Sequence, residues 1–85
     1  MEMESVFLDN LPDTANMILN ILWDRNRGMR TNELTQAVNE TYHRAWENEV
    51  IQEFANLLVG HGYVEKKRRG LRIYYMALGA DYECE

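Results

Sequence analysis

The chain has 85 residues, 46% of them apolar and 27% charged, with a formal net charge of -5. That length holds one small domain with a single core and excludes a second; no apolar run approaches the roughly 18 residues of a membrane span, and the acidic opening Met1-Glu2-Met3-Glu4 lacks the basic start of a secretory signal, so a cytoplasmic protein is expected. The one cysteine, Cys84, excludes an internal disulfide and any multi-cysteine metal site, and is expected to be an ordinary exposed thiol.

An acidic total argues at first against nucleic acid, because non-specific affinity for DNA comes mainly from Lys and Arg meeting phosphates. Placement qualifies this. Six of the 14 acids, Glu2, Glu4, Asp9, Asp81, Glu83 and Glu85, lie in the two tails and leave eight against nine bases in the body. Five of those bases, Lys66, Lys67, Arg68, Arg69 and Arg72, fall within seven positions. The charge is polarised rather than absent.

Residues 1–10 read as an arm: Val6, Phe7 and Leu8 show no clear period and are expected to pack on the body or on another subunit. Leu11-Pro12-Asp13-Thr14 is a helix entry, with the sole proline at a tolerated first-turn position and Asp13 near the positive helix end. Ala15, Ile18, Leu19 and Leu22, widened by Ile21 and Trp23, make the core face of a first helix to about Asn26, which Arg27-Gly28 ends. Met29-Arg30 is a short extended link. Thr31 is a good N-cap, Glu33 lies where a carboxylate is favoured, and Leu34, Ala37 and Val38 supply a narrow stripe for a second helix of nine or ten residues. The turn at Thr41 to Arg44 precedes a third helix, for which Thr41 and Asn48 are both candidate caps.

The third helix turns Ile51, Phe54, Ala55 and Leu58 to one side and Glu49, Gln52, Glu53 and Asn56 to the other. Gly60-His61-Gly62 ends it, and residues 63–67 form a strand. The turn Arg68-Arg69-Gly70 then leads into Leu71-Arg72-Ile73-Tyr74-Tyr75-Met76, rich in strand formers. This is a hairpin with a basic tip, ending near Leu78, and residues 79–85 read as a loose acidic tail.

The candidate site residues follow from that layout. The hairpin bases Lys66, Lys67, Arg68, Arg69 and Arg72 suit phosphate, or guard an edge hairpin against aggregation. Asn48, Gln52 and Asn56 suit adenine edges in a major groove, or form a plain solvated face. Thr31 and Asn32 can offer backbone N–H groups to a phosphate at a helix start, or serve only as caps. Trp23 and Trp46 read as core or near-core aromatics. His43 and His61 have no partner at ligand spacing, and Glu47, Glu49 and Glu53 sit on a wet face with nothing to drive their pKa values apart, so neither a metal, a cofactor nor catalysis is expected.

Helix, helix, helix and hairpin in this order resemble the penicillinase-repressor (BlaI/MecI/CopY) type of winged helix-turn-helix. The resemblance covers residues 11–78 and rests on Leu11 and Ile21-Leu22-Trp23 around the first helix, and on Trp46, Ile51, Phe54-Ala55 and Leu58-Val59 in the third. Gly62-Tyr63-Val64-Glu65-Lys66 is similar to the family's entry to the wing, and Gly70 with Tyr75 to its return. It implies a mainly α fold with a small antiparallel hairpin, and a DNA-binding transcriptional regulator, most simply a dimeric repressor. Helix 3 would lie in the major groove and the wing on the phosphates, with Arg44, Asn48, Glu49, Gln52, Glu53 and Asn56 facing the duplex. Two departures stand out. Where the family commonly carries threonines and a lysine, this helix has Glu49, Gln52 and Glu53, and the chain ends before the family's C-terminal dimerisation domain would begin. Val6, Phe7 and Leu8 are therefore the expected dimer contact. The competing expectation is an interaction module whose acidic third helix binds a basic protein surface.

Overall fold

The computed structural model describes residues 5–78, so Cys84 and the expected acidic tail lie outside the described residues. Everything packs around α1 (Asp13–Arg25), in which every residue from position 14 to 22 is buried. The apolar stripe read from the sequence accounts for only one side of it. Ala15, Ile18, Leu19 and Leu22 meet α2 (Thr31–Tyr42), α3 (Asn48–His61) and the hairpin, and form the core with Leu34, Val38, Ile51, Leu58, Val64 and Tyr75. The other side of α1 is closed by the N-terminal arm.

The arm doubles back along α1 in extended form, held through its main chain. Asn20 accepts the Val6 N–H at 2.8 Å and donates to the Val6 carbonyl at 2.9 Å; Asn16 treats Leu8 in the same way at 2.8 and 3.0 Å. Residues two apart on a strand are thus matched to residues four apart on a helix face. Both asparagines are almost fully buried, at 1% and 3% exposure, and their polar groups are satisfied as burial requires. Leu8 packs on the core, while Val6 and Phe7 stay 56% and 42% exposed, with Phe7 tilted against Tyr42.

Several boundaries differ from those read in the sequence, each for a local reason. Pro12 is the N-cap of α1 rather than a first-turn residue. Asn26, in the left-handed conformation at φ 56°, ends α1 and donates its N–H to Leu22 O, work expected of Arg27-Gly28. Asparagine tolerates that region because its short polar side chain can bond locally. Gly28 serves another purpose: a Cβ there would lie 3.3 Å from the Tyr74 Cβ. The close approach lets Met29 and Tyr75 exchange two backbone hydrogen bonds of 2.8 Å, a one-residue third strand on the hairpin. The N-cap of α2 is Arg30, whose N–H donates to Glu33 Oε1 at 3.0 Å, so Thr31 is the first helical residue and not the cap. α2 runs twelve residues, longer than its apolar stripe suggests. Glu47, not Thr41 or Asn48, holds the N-cap position of α3, without a side-chain cap bond, and Trp46 stands before it with its N–H and carbonyl gripped by the Asn39 amide.

The hairpin pairs β1 (Val64–Arg69) with β2 (Arg72–Ala77) antiparallel, Val64 opposite Ala77 and Arg69 opposite Arg72. Its turn is therefore the two residues Gly70 and Leu71, not Arg68-Arg69-Gly70, and Leu71 is the tip rather than the first strand residue. Gly70 at φ 61° supplies the positive angle that a two-residue hairpin with glycine first requires.

Gly62 makes the helix-to-strand junction at φ 86°, its N–H donating to Val59 O and that of Tyr63 to Leu58 O, both at 3.1 Å. An alanine Cβ there would meet no atom within 4 Å. Gly62→Ala should therefore cost about 1–2 kcal/mol from backbone conformation alone, read as a lower urea midpoint with an unchanged slope.

Candidate nucleic-acid interface

A shallow groove of about 340 Å³ opens where three elements meet: Arg30, Thr31 and Asn32 at the start of α2, Asn48 and Gln52 on the first turns of α3, and Leu71, Arg72, Ile73 and Tyr75 along β2. It exists because Met29 ties the link before α2 to β2, which sets one helix start beside the base of the wing. The N–H groups of Thr31 and Asn32 fall in the first helical turn, where a helix has no acceptor of its own for them. Arg30 lines the groove beside these N–H donors and adds a cation to this wall, while Arg72 borders it from the strand, its pairing with Arg69 turning its side chain to the other face of the hairpin. The opposite wall offers the side-chain amides of Asn48 and Gln52, each able to donate and accept along a base edge.

Of the residues proposed from sequence, the groove gathers Thr31, Asn32, Asn48, Gln52 and Arg72. Glu49 and Glu53 are exposed on α3, as the helical period expects. Asn56 is exposed too, but its Oδ1 already accepts from the Tyr75 hydroxyl at 2.9 Å and from Lys66 Nζ at 3.2 Å. Those bonds hold the wing to α3. They occupy the acceptor that a two-point contact with adenine would need, and only the amide N–H groups remain to offer. Burial pushes the Tyr75 phenol above its usual pKa. Arg44 lies away from the groove lining, in the turn between α2 and α3, with Nη1 donating to Tyr42 O at 3.1 Å.

Strand alternation divides the wing bases. Lys66 and Arg68 stand opposite Tyr75 and Ile73 on the face that continues into the core, with the Lys66 ammonium 5.9 Å from the Tyr75 ring centre. Lys67 and Arg69 stand on the other face with Arg72, Tyr74 and Met76, and Lys67 and Arg69 lie beside Gly28. β1 is also the unpaired edge of the sheet among the described residues, so its bases guard against edge-to-edge association whatever else they do. Arg30 is a groove residue that reads only as linker in the sequence. Among the described residues no three His, Cys, Asp or Glu side chains come together as a metal would need, and no helix is long and apolar enough to cross a membrane.

No family model matches the chain, and no curated protein matches it in sequence. Solved structures do. The solution structure of the DNA-binding domain of the repressor BlaI superposes with a TM-score of 0.67 at 18% identity, over 92% of this chain and 87% of that one. A structure concerned with the DNA recognition and protein interaction domains of HOP2, and with homologous DNA pairing, superposes with a TM-score of 0.67 at 17% identity, over 75% of this chain and 97% of that one. At such identities the likeness bears on fold, and with three helices followed by an antiparallel hairpin it is unambiguous: the chain is a winged helix-turn-helix.

Proposed function

We propose that this domain binds double-stranded DNA as a sequence-specific transcriptional regulator, a repressor of the BlaI kind working inside the cell, with α3 in the major groove and the wing on the neighbouring backbone. The observation that carries the reading is the groove, where two helix starts and the second wing strand converge with donors on both walls. Thr31, Asn32, Arg30 and Arg72 take phosphates and set the register; Asn48 and Gln52 read base edges. Arg68, Arg69 and Lys67 extend the phosphate track along the wing. The relatives in structure support this, one being the DNA-binding domain of a repressor and the other involved in DNA recognition.

A second reading is favoured by one observation: Glu47, Glu49 and Glu53 are exposed, and none is paired with a base among the described residues. Such a surface suits a basic protein partner. The double variant Glu49→Gln, Glu53→Gln separates the two, because removing two carboxylates beside a duplex should tighten DNA binding about three- to tenfold at low salt. Unchanged or weaker binding to DNA would favour the protein partner.

As a regulator the domain acts as a homodimer, each copy on one half-site. Leu8 is committed to its own core, which leaves Val6 and Phe7 as the apolar contact between copies. The variant Val6→Ser, Phe7→Ser keeps the arm's main-chain bonds. It should sediment as a monomer where the parent sediments as a dimer; a persistent dimer would place the interface elsewhere.

A further inference from the structure

Leu71 is 95% exposed, far more than the other large apolar side chains exposed among the described residues, which run from 37% to 56%. The fold does not ask for leucine there. Gly70 alone supplies the positive φ of the two-residue turn, and the position after it accepts polar side chains at no conformational cost. The tip is tied by Arg68 Nε, which donates to the Gly70 carbonyl at 3.2 Å, while Arg69 and Arg72 face each other on the last rung as two like charges. The result is an apolar point presented between arginines, with Leu71 and Arg72 both on the rim of the groove already described.

Resting on the DNA-binding reading, we propose that the wing tip is a minor-groove wedge, in which Leu71 enters a base step while Arg69 and Arg72 bind the walls on either side. Dimensions favour this placement. A minor groove is about 6 Å wide and paired strands lie about 4.8 Å apart before side chains are added, so only the tip of a hairpin can enter. Arginine is drawn to the negative potential of a narrow minor groove, and a leucine between base pairs partly unstacks them and bends the duplex away. The wedge gives the protein a preference for easily unstacked pyrimidine–purine steps at a point where it makes no base-edge hydrogen bond.

The test uses a mixed-sequence duplex with 2-aminopurine, which brightens on unstacking, at the adenine of each TA step, with affinity followed by anisotropy. The parent protein should brighten the probe at one or more steps. Leu71→Ser should abolish that signal and weaken binding roughly three- to tenfold, and Leu71→Met should restore both. Salt-sensitive binding with no brightening at any step, or brightening that survives Leu71→Ser, overturns the wedge and leaves the DNA reading intact; absence of binding at low salt overturns both. An unchanged DNA complex with Leu71→Ser, together with loss of the parent's binding to phosphatidylglycerol vesicles, would assign the tip to an anionic membrane surface instead.

Discussion

Replacing Arg68, Arg69 and Arg72 together by alanine should weaken binding to duplex DNA by two to three orders of magnitude at about 0.1 M salt, since each phosphate contact contributes a slope of about 0.9 in log K against log salt. The same variant should lower that slope by about 2.7, as expected when three phosphates are no longer neutralised. All three side chains are exposed, and none makes an ion pair among the described residues, so the fold should survive. Lys66 is best left out of the set because it braces Asn56 across to α3. Equal affinity and slope in the parent and variant, measured by anisotropy at several salt concentrations, would reduce the wing bases to guards of an edge strand.

The second large effect concerns stability. Asn16→Ala with Asn20→Ala removes four hydrogen bonds to the arm, leaving the Val6 N–H and carbonyl and the Leu8 N–H without those partners while the Leu8 carbonyl keeps only the Leu11 N–H. At about 1 kcal/mol for each bond, the loss is roughly 3–5 kcal/mol, a large share of what a domain of this size possesses. Asn→Asp at both positions should do no better: a carboxylate accepts the N–H but cannot donate to the carbonyl, and it is charged where the site is buried. Urea unfolding measures the loss, and hydrogen exchange locates it. The Val6 and Leu8 amides should exchange freely in the variants; retained protection would show that side-chain packing, not the asparagine clamp, holds the arm.

The clamp also shows why part of the molecule is not legible in the sequence. Ala15, Ile18, Leu19 and Leu22, like Ile51, Ala55 and Leu58, announce their helices because side-chain burial follows the helical period. Asn16 and Asn20 bind main chain, which carries no side-chain signal, so two polar residues inside an apolar helix give no hint of what they hold. The turn at Gly70 and Leu71 lies one residue beyond the place the sequence suggests because a run of strand formers begins at Leu71; pairing Arg69 with Arg72 sets the register, and pairing is tertiary information. The outward face of α3 follows from period alone and is exposed as expected. That Lys66 and the Tyr75 hydroxyl both donate to Asn56, or that Arg30 belongs to the groove, depends on segments that meet only after folding.

Anisotropy of a labelled mixed-sequence duplex at about 50 mM and about 200 mM salt tests the proposed binding of DNA through Arg30, Thr31, Asn32, Asn48, Gln52 and the wing. A dissociation constant in the micromolar range or tighter at the lower salt, weakening at least about tenfold at the higher, is the predicted result. No binding at the lower salt, or binding indifferent to salt, would contradict it.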